Sequence, residues 1–269
     1  MNRQEKQLQH MDECAWALRP RSPWVYPWGV VTLTIKLVIS HNNVATDNPR
    51  KRPIFEQCDV LAAVVLTANI KGGNMARLVV SEFVTLDGVF QDPGGAENFD
   101  KGGWSFKLSF GAEGGQFKQN ELMESDALLL GRVTYTGFAK AWPNRSQSEE
   151  EGEYAKKINA MPKYVFSTML TTATARWNNT HIIKGIVAEE VNKLKAMYEN
   201  DILVFGSGTL VQALMRNNLV DEYRLMIWPT VLGTGKKIFQ NGAEANLQLT
   251  SAQAFQSGVA LLIFSATHT

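Results

Sequence analysis

Asp126-Ala-Leu-Leu-Leu-Gly-Arg-Val-Thr-Tyr-Thr-Gly-Phe138 is the stretch on which the fold turns. Ala127 to Leu130 is a short continuous apolar run, the mark of a strand buried on both faces. The run ends at Gly131, and from Thr134 the spacing predicts a short helix with Thr134 as its N-cap. A strand feeding directly into a helix leaves unpaired backbone N–H groups above the strand end. With Arg132 and a threonine hydroxyl beside them, that spot favours a phosphate.

A second copy lies downstream. Ile202-Leu-Val-Phe205 is again a buried-strand run, followed by Gly206-Ser-Gly208 and then Thr209 to Met215 at helical spacing. Gly206-Ser-Gly208 is neither the GxGxxG fingerprint nor a P-loop, so either glycine turn alone carries little. Both at strand ends, with Ser167-Thr168 at a third, point to the two ends of one dinucleotide, because ligands of open α/β sheets collect at the carboxyl ends of strands.

Working outward, Arg77 to Leu86 is rich in β-branched and aromatic residues and predicts the first strand, closed by Asp87-Gly88. Gln91 to Gly115, with Pro93 and seven glycines, predicts a long loop. Helices are expected over Gln116–Ser125, Glu149–Met161 and Val187–Tyr198, and strands at Lys163–Phe166 and His181–Ile183. This alternation argues for an α/β fold with a mostly parallel sheet covered by helices on both faces. The tail differs. Asp221–Pro229, Leu247–Phe255 and Val259–Ala266 are strand-like, and Gln256-Ser-Gly258 suits a hairpin, so an antiparallel C-terminal hairpin is expected at one edge.

The totals, 45% apolar and 20% charged over 269 residues, are those of an ordinary globular protein. A formal charge of +1 argues against nucleic-acid binding through bulk electrostatics. Residues 1–74 stand apart: they hold 9 Lys/Arg against 6 Asp/Glu, while residues 75–269 hold 18 against 20. Both cysteines, Cys14 and Cys58, also fall there, without metal or disulfide spacing, and no signal peptide or membrane-length apolar run is visible. A cytoplasmic address is expected.

Three prolines break the start of this segment, and Val30–Ile39 (a strand) and Val60–Ile70 (a strand or short helix) make a marginal core. Residues 1–74 are expected to be a poorly ordered extension before a domain at 75–269. One back-translation of Lys71-Gly-Gly-Asn-Met75 is a purine-rich ribosome-binding site before a start codon, which suggests Met75 as the initiator. Other codons at Lys71 to Gly73 would remove that argument.

Among candidate site residues, Asp87 ends a strand beside the Gly-rich loop, where a carboxylate can bond a heterocycle or relay a proton; a plain Asp-Gly turn is the equal alternative. Trp104 in that loop either closes over a ligand or anchors the loop. Glu121 is a substrate-side candidate, with a solvated surface Glu as the blander reading. No GxSxG elbow or cysteine nucleophile occurs after residue 74, and His10, His41, His181 and His268 are too scattered for a metal site.

With these residues in place, Met75 to the C-terminus resembles the dihydrofolate-reductase-like superfamily, in the branch of the reductase domain of the bifunctional riboflavin-biosynthesis deaminase–reductase. The matching pieces are Ser81-Glu-Phe-Val-Thr-Leu-Asp-Gly88, Leu130-Gly-Arg-Val-Thr-Tyr135, Tyr164-Val-Phe-Ser167, Val204-Phe-Gly-Ser-Gly-Thr209 and Asp221 to Gly235. The resemblance implies a reductase using NADPH, with NADH still open, on a pterin- or pyrimidine-like small molecule. By position, Gly131, Arg132, Thr134 and Tyr135 would hold the adenosine side and diphosphate. Ser167 and Thr168 would lie near the 2′-phosphate, and Gly206, Ser207, Gly208 and Thr209 would meet the diphosphate and nicotinamide end. Asp87 and Trp104 would face the substrate. Thr168 stands where relatives often place a basic residue, leaving Arg132 as the 2′-phosphate partner. The zinc-deaminase signature is absent upstream, so the chain is not the complete bifunctional enzyme. The branch also implies a homodimer through the C-terminal strands. A nucleotide-binding module without catalysis is the alternative from another class.

Overall fold

The computed structural model describes residues 33–34, 67–68, 75–145, 152–240 and 244–267. The chain divides into two compact units, Met1–Gly73 and Asn74–Thr269. In the first, Leu33–Thr34 pairs antiparallel with Thr67–Ala68. The rest of the elements expected there, together with Cys14, Cys58, His10 and His41, lies outside the described residues, as do Glu149 to Glu151 at the start of one expected helix.

The second unit holds strands β1 (Leu78–Thr85), β2 (Ser125–Gly131), β3 (Lys163–Phe166), β4 (Thr180–Ile183), β5 (Asp201–Phe205), β6 (Glu222–Trp228), β7 (Leu247–Ala254) and β8 (Ala260–Ala266). They form one sheet in the order β4-β3-β2-β5-β1-β6-β8-β7. The six from β4 to β6 run parallel, and the hairpin adds β8 antiparallel to β6 and β7 antiparallel to β8. This is the α/β arrangement expected from the sequence. The two apolar runs explain the centre: Ala127 to Leu130 and all of β5 are buried because helices cover both faces.

Helices α1 (Gly111–Met123), α2 (Arg132–Ala141) and α3 (Gly152–Ala160) cover one face, where Leu122, Tyr135 and Ile158 pack on Leu128 and Leu203. Helices α4 (Val187–Met197) and α5 (Gly208–Arg216) cover the other through Val191, Leu194, Leu210 and Leu214. Trp104, Trp228, Phe255 and Leu261 make a third cluster under the loop after β1.

Two boundaries differ from expectation for packing reasons. Helix α1 starts five residues early, at Gly111 rather than Gln116. Gly114 is helical, and a Cβ on it would lie 2.9 Å from the Phe110 ring and 3.0 Å from Met226 Cε. The glycine there serves close packing, which single-sequence reading takes for a loop. Helix α2 is entered through Gly131, in extended conformation, so Thr134 is not its cap but sits inside the first turn.

Candidate functional site

The tips of β2 and β5 are stitched together. Ser207 Oγ accepts the Gly131 N–H at 2.8 Å, and Thr134 Oγ1 accepts the Ser207 N–H at 2.9 Å. Gly206 (φ +55°) and Ser207 (φ +64°) are both left-handed, which brings the turn hard against α2. A Cβ on Gly131 would touch Ser207 at 3.4 Å, and one on Gly206 would lie 2.8 Å from Thr134 Oγ1. Glycine is needed at Gly206, while the contact at Gly131 is an ordinary one. Neither α2 nor α5 has a side-chain cap, so the remaining amides of both first turns stay available to an anion. Thr209 is exposed at the start of α5, and Gly208 lies against the Phe90 ring.

Beside this stitch, Arg132, Ser167, Thr168, Lys184 and Gly185 line a groove of about 330 Å³. Ser167 Oγ is held by the Met169 and Leu170 amides at 3.1 and 2.9 Å, which fixes its lone pairs while leaving its proton to a ligand. Exposed Met169 adds an apolar wall to the groove. The structure thus brings together Gly131, Arg132, Thr134, Ser167, Thr168 and Gly206 to Thr209, drawn from the tips of three adjacent strands.

Below the tips lies a polar floor. Lys118 of α1 donates to Glu121 Oε1 at 2.5 Å and Ser81 Oγ at 2.9 Å, and sits 4.3 Å from the Phe205 ring centroid. Arg224 Nη1 approaches Glu121 Oε2 at 3.5 Å, while the rest of its guanidinium bonds Asp201 and Glu222. Glu82 is 5% exposed and its Oε1 has no partner among the described residues. Burial pushes its carboxyl well above the usual carboxylate range, against the weaker pull of the Gly206 N–H and the Lys118 charge.

A stability consequence follows for Glu82. A carboxyl whose folded pKa is raised contributes fully only below its unfolded value of about 4.3, and its contribution is lost as pH rises through the folded value. Glu82→Gln, always neutral, should therefore leave Tm nearly unchanged near about pH 4 and raise it near about pH 8. Thermal melts at the two pH values check this, and equal shifts at both would show that Glu82 ionises normally.

For four candidates the structure gives the surroundings. Asp87 is fully engaged, accepting from Thr85 Oγ1 at 2.6 Å, the Gly233 N–H at 2.8 Å and the Leu232 N–H at 3.2 Å. Burial acts to raise its pKa, but these bonds hold it at about 2, and they clasp the loop after β6. Trp104 is 0% exposed, donates to Gln91 O and packs edge-on against Trp228, which makes it the loop's anchor. Tyr135 turns away from the strand tips: its hydroxyl meets Thr180 and the Trp177 N–H. Glu121 is no surface residue; it is 3% exposed inside the ionic floor.

The sequence reading missed Lys184, which follows the end of β4, and the trio Glu82, Lys118 and Arg224. A charged residue inside an otherwise apolar strand, as in Ser81-Glu82 and Tyr223-Arg224, was the available signal. Among the described residues no cluster of three metal-ligating side chains occurs, and no helix is long and apolar enough to cross a membrane.

Comparison with known proteins agrees with this geometry. A family model described as the RibD C-terminal domain matches residues 76–261. Uncharacterized protein YyaP of Bacillus subtilis (strain 168) is 30% identical over 205 residues, covering 74% of this chain and 98% of that protein. Among solved structures, a proposed riboflavin biosynthesis protein from Shewanella sp. PV-4 superposes with a TM-score of 0.55 at 17% identity, covering 71% of this chain and 99% of that one. Acinetobacter baumannii RibD gives 0.51 at 16% identity, covering 72% of this chain, which spans 59% of that longer protein. At such identities the two structures establish the fold alone. The family match spans well over half of the sequence, and the chain belongs to the RibD C-terminal domain family.

Proposed function

We propose that the chain is an NADPH-dependent reductase acting on a pterin- or pyrimidine-like ring. The observation that carries this is the pair of uncapped helix starts, α2 and α5, stitched side by side at adjacent strand tips next to a cationic groove. Two positive helix ends suit a diphosphate, and the Arg132 and Lys184 side chains suit a further phosphate at one end of it. The cradle fits: Gly206 lets the turn after β5 lie close against Thr134, and Glu82 carries an oxygen without a partner among the described residues beneath it.

The bound nicotinamide would supply the hydride. The protein's own part is to hold and to exclude water. Amides of the α2 and α5 first turns would bind the diphosphate, and Arg132, Ser167, Thr168 and Lys184 the adenosine 2′-phosphate. Lys118, clamped by Glu121 and Ser81 beneath the tips, fixes the polar floor against which an acceptor ring would lie.

Arg132→Ala tests the reading. Loss of one charge-assisted contact to a phosphate is worth about 1.5–3 kcal/mol, so NADPH affinity should fall roughly 10–100-fold while NADH affinity changes little. Titration of cofactor fluorescence reads both, and equal losses would take the 2′-phosphate away from Arg132. Oxidation of NADPH with a panel of pterins and ribosylaminopyrimidines reads turnover; tight binding with none would leave a nucleotide-binding module. A cytoplasmic homodimer belongs to the same proposal, supported by the exposed outer strand β7, and sedimentation of the purified chain tests the dimer.

A further inference from the structure

A larger cavity, about 770 Å³, opens between α2, α3 and the crossover from Leu170 to Asn179. It shares no lining residue with the strand-tip groove. Three elements send a cation to it: Lys140 from α2, Lys156 from α3 and Arg176 from the crossover. Among the described residues that line it, none is acidic. Glu153 pairs with Lys156 at 2.7 Å, but Lys140 and Arg176 have no carboxylate partner among the described residues.

Directly behind this lining is Lys163, the first residue of β3, with 0% of its surface exposed. Its Nζ donates to Asn159 O at 2.6 Å and Asn178 O at 3.0 Å, and lies 4.3 Å from the Trp177 ring centroid. All three of those residues face the cavity. Among the described residues no carboxylate pairs with Lys163, and burial pulls its pKa down to about 8. Buried charges are normally paired, so an ammonium placed here without a counter-ion leaves a positive potential that an anion in the cavity would relieve.

The wall is also pre-set. Trp177 Nε1 donates to Asn159 Oδ1 at 2.6 Å, and Asn179, at φ +55°, ties its side chain to Ala160 O. A rigid, donor-lined space of this size takes a metabolite rather than a single halide.

We propose that this cavity is a second ligand site, separate from the strand-tip groove, which binds a phosphate-bearing small molecule between Lys140, Arg176 and the Asn178 side chain with Lys163 behind them. It stands apart from the reductase reading and holds whether or not that reading does.

Pyrophosphate titrated into the full chain by calorimetry, against sodium chloride of equal ionic strength, is the test. Saturable binding is expected at millimolar concentration or below. The double variant Lys140→Ala/Arg176→Ala, both at exposed positions that spare the core, should weaken it by about tenfold or more. Arg132→Ala, which touches only the strand-tip groove, should leave the binding that the double variant removes unchanged. No response beyond the chloride control overturns the proposal, as does loss of binding in Arg132→Ala with none in the double variant, which would send the anion to the strand tips.

Discussion

Gly206→Val is expected to abolish measurable NADPH binding and to lower Tm by about 5–15 °C, the equivalent of several kcal/mol in a chain of this size. Two costs combine. A branched side chain at φ +55° enters a backbone region that costs roughly 1–2 kcal/mol for a residue with a Cβ. That Cβ would also sit 2.8 Å from Thr134 Oγ1, which must move and so release the Ser207 N–H, an omission worth about 1–3 kcal/mol for a buried donor. The second cost is removable. Adding Thr134→Ala to Gly206→Ala clears the clash but not the backbone strain, so the pair should lose less than the two single changes summed. Strict additivity in a melting series would show that the two turns do not act on each other.

Arg224→Leu should be the costliest change in the ionic floor. The guanidinium bonds Asp201 Oδ2 at 2.7 Å and Glu222 Oε1 at 2.6 Å and faces Glu121 at 3.5 Å, all largely out of water. Its removal leaves three carboxylates to Arg77 and Lys118. Deleting one member of such a set costs about 3–5 kcal/mol, because the partners remain buried with their charge. Arg224→Lys should recover only part, since a point charge cannot fork between Asp201 and Glu222. Urea melts of the two variants check this; full recovery in Arg224→Lys would mean that one positive charge, not the fork, is what the site requires.

The parts of the fold legible in the sequence were those set by local pattern. Ala127–Leu130 and Ile202–Phe205 announce buried strands through composition alone, and Gln256-Ser-Gly258 announces the hairpin. What escaped was set by partners far along the chain. Nothing near Thr134 says that its hydroxyl serves Ser207, and nothing near Asp87 says that the Leu232 and Gly233 amides will consume its lone pairs. The same holds for Glu82, whose Oε1 meets no hydrogen-bond partner among the described residues, and for the burial of Lys163, both visible only once the strands are side by side. Strand-tip residues could be grouped because alternation fixes which ends of the strands meet; the roles of individual side chains there could not.

The placement of β1 bears on how the chain is made. It lies between β5 and β6, so Leu78 must wait for Ile202 and Val79 for Glu222 before either edge of the strand is paired. A ribosome delivers those partners only after β2, β3 and β4. Until then one of the most apolar segments of the domain has both edges open, which slows assembly and invites association between unfinished chains. Any truncation ending before Trp228 should therefore accumulate as aggregate rather than as a smaller folded core.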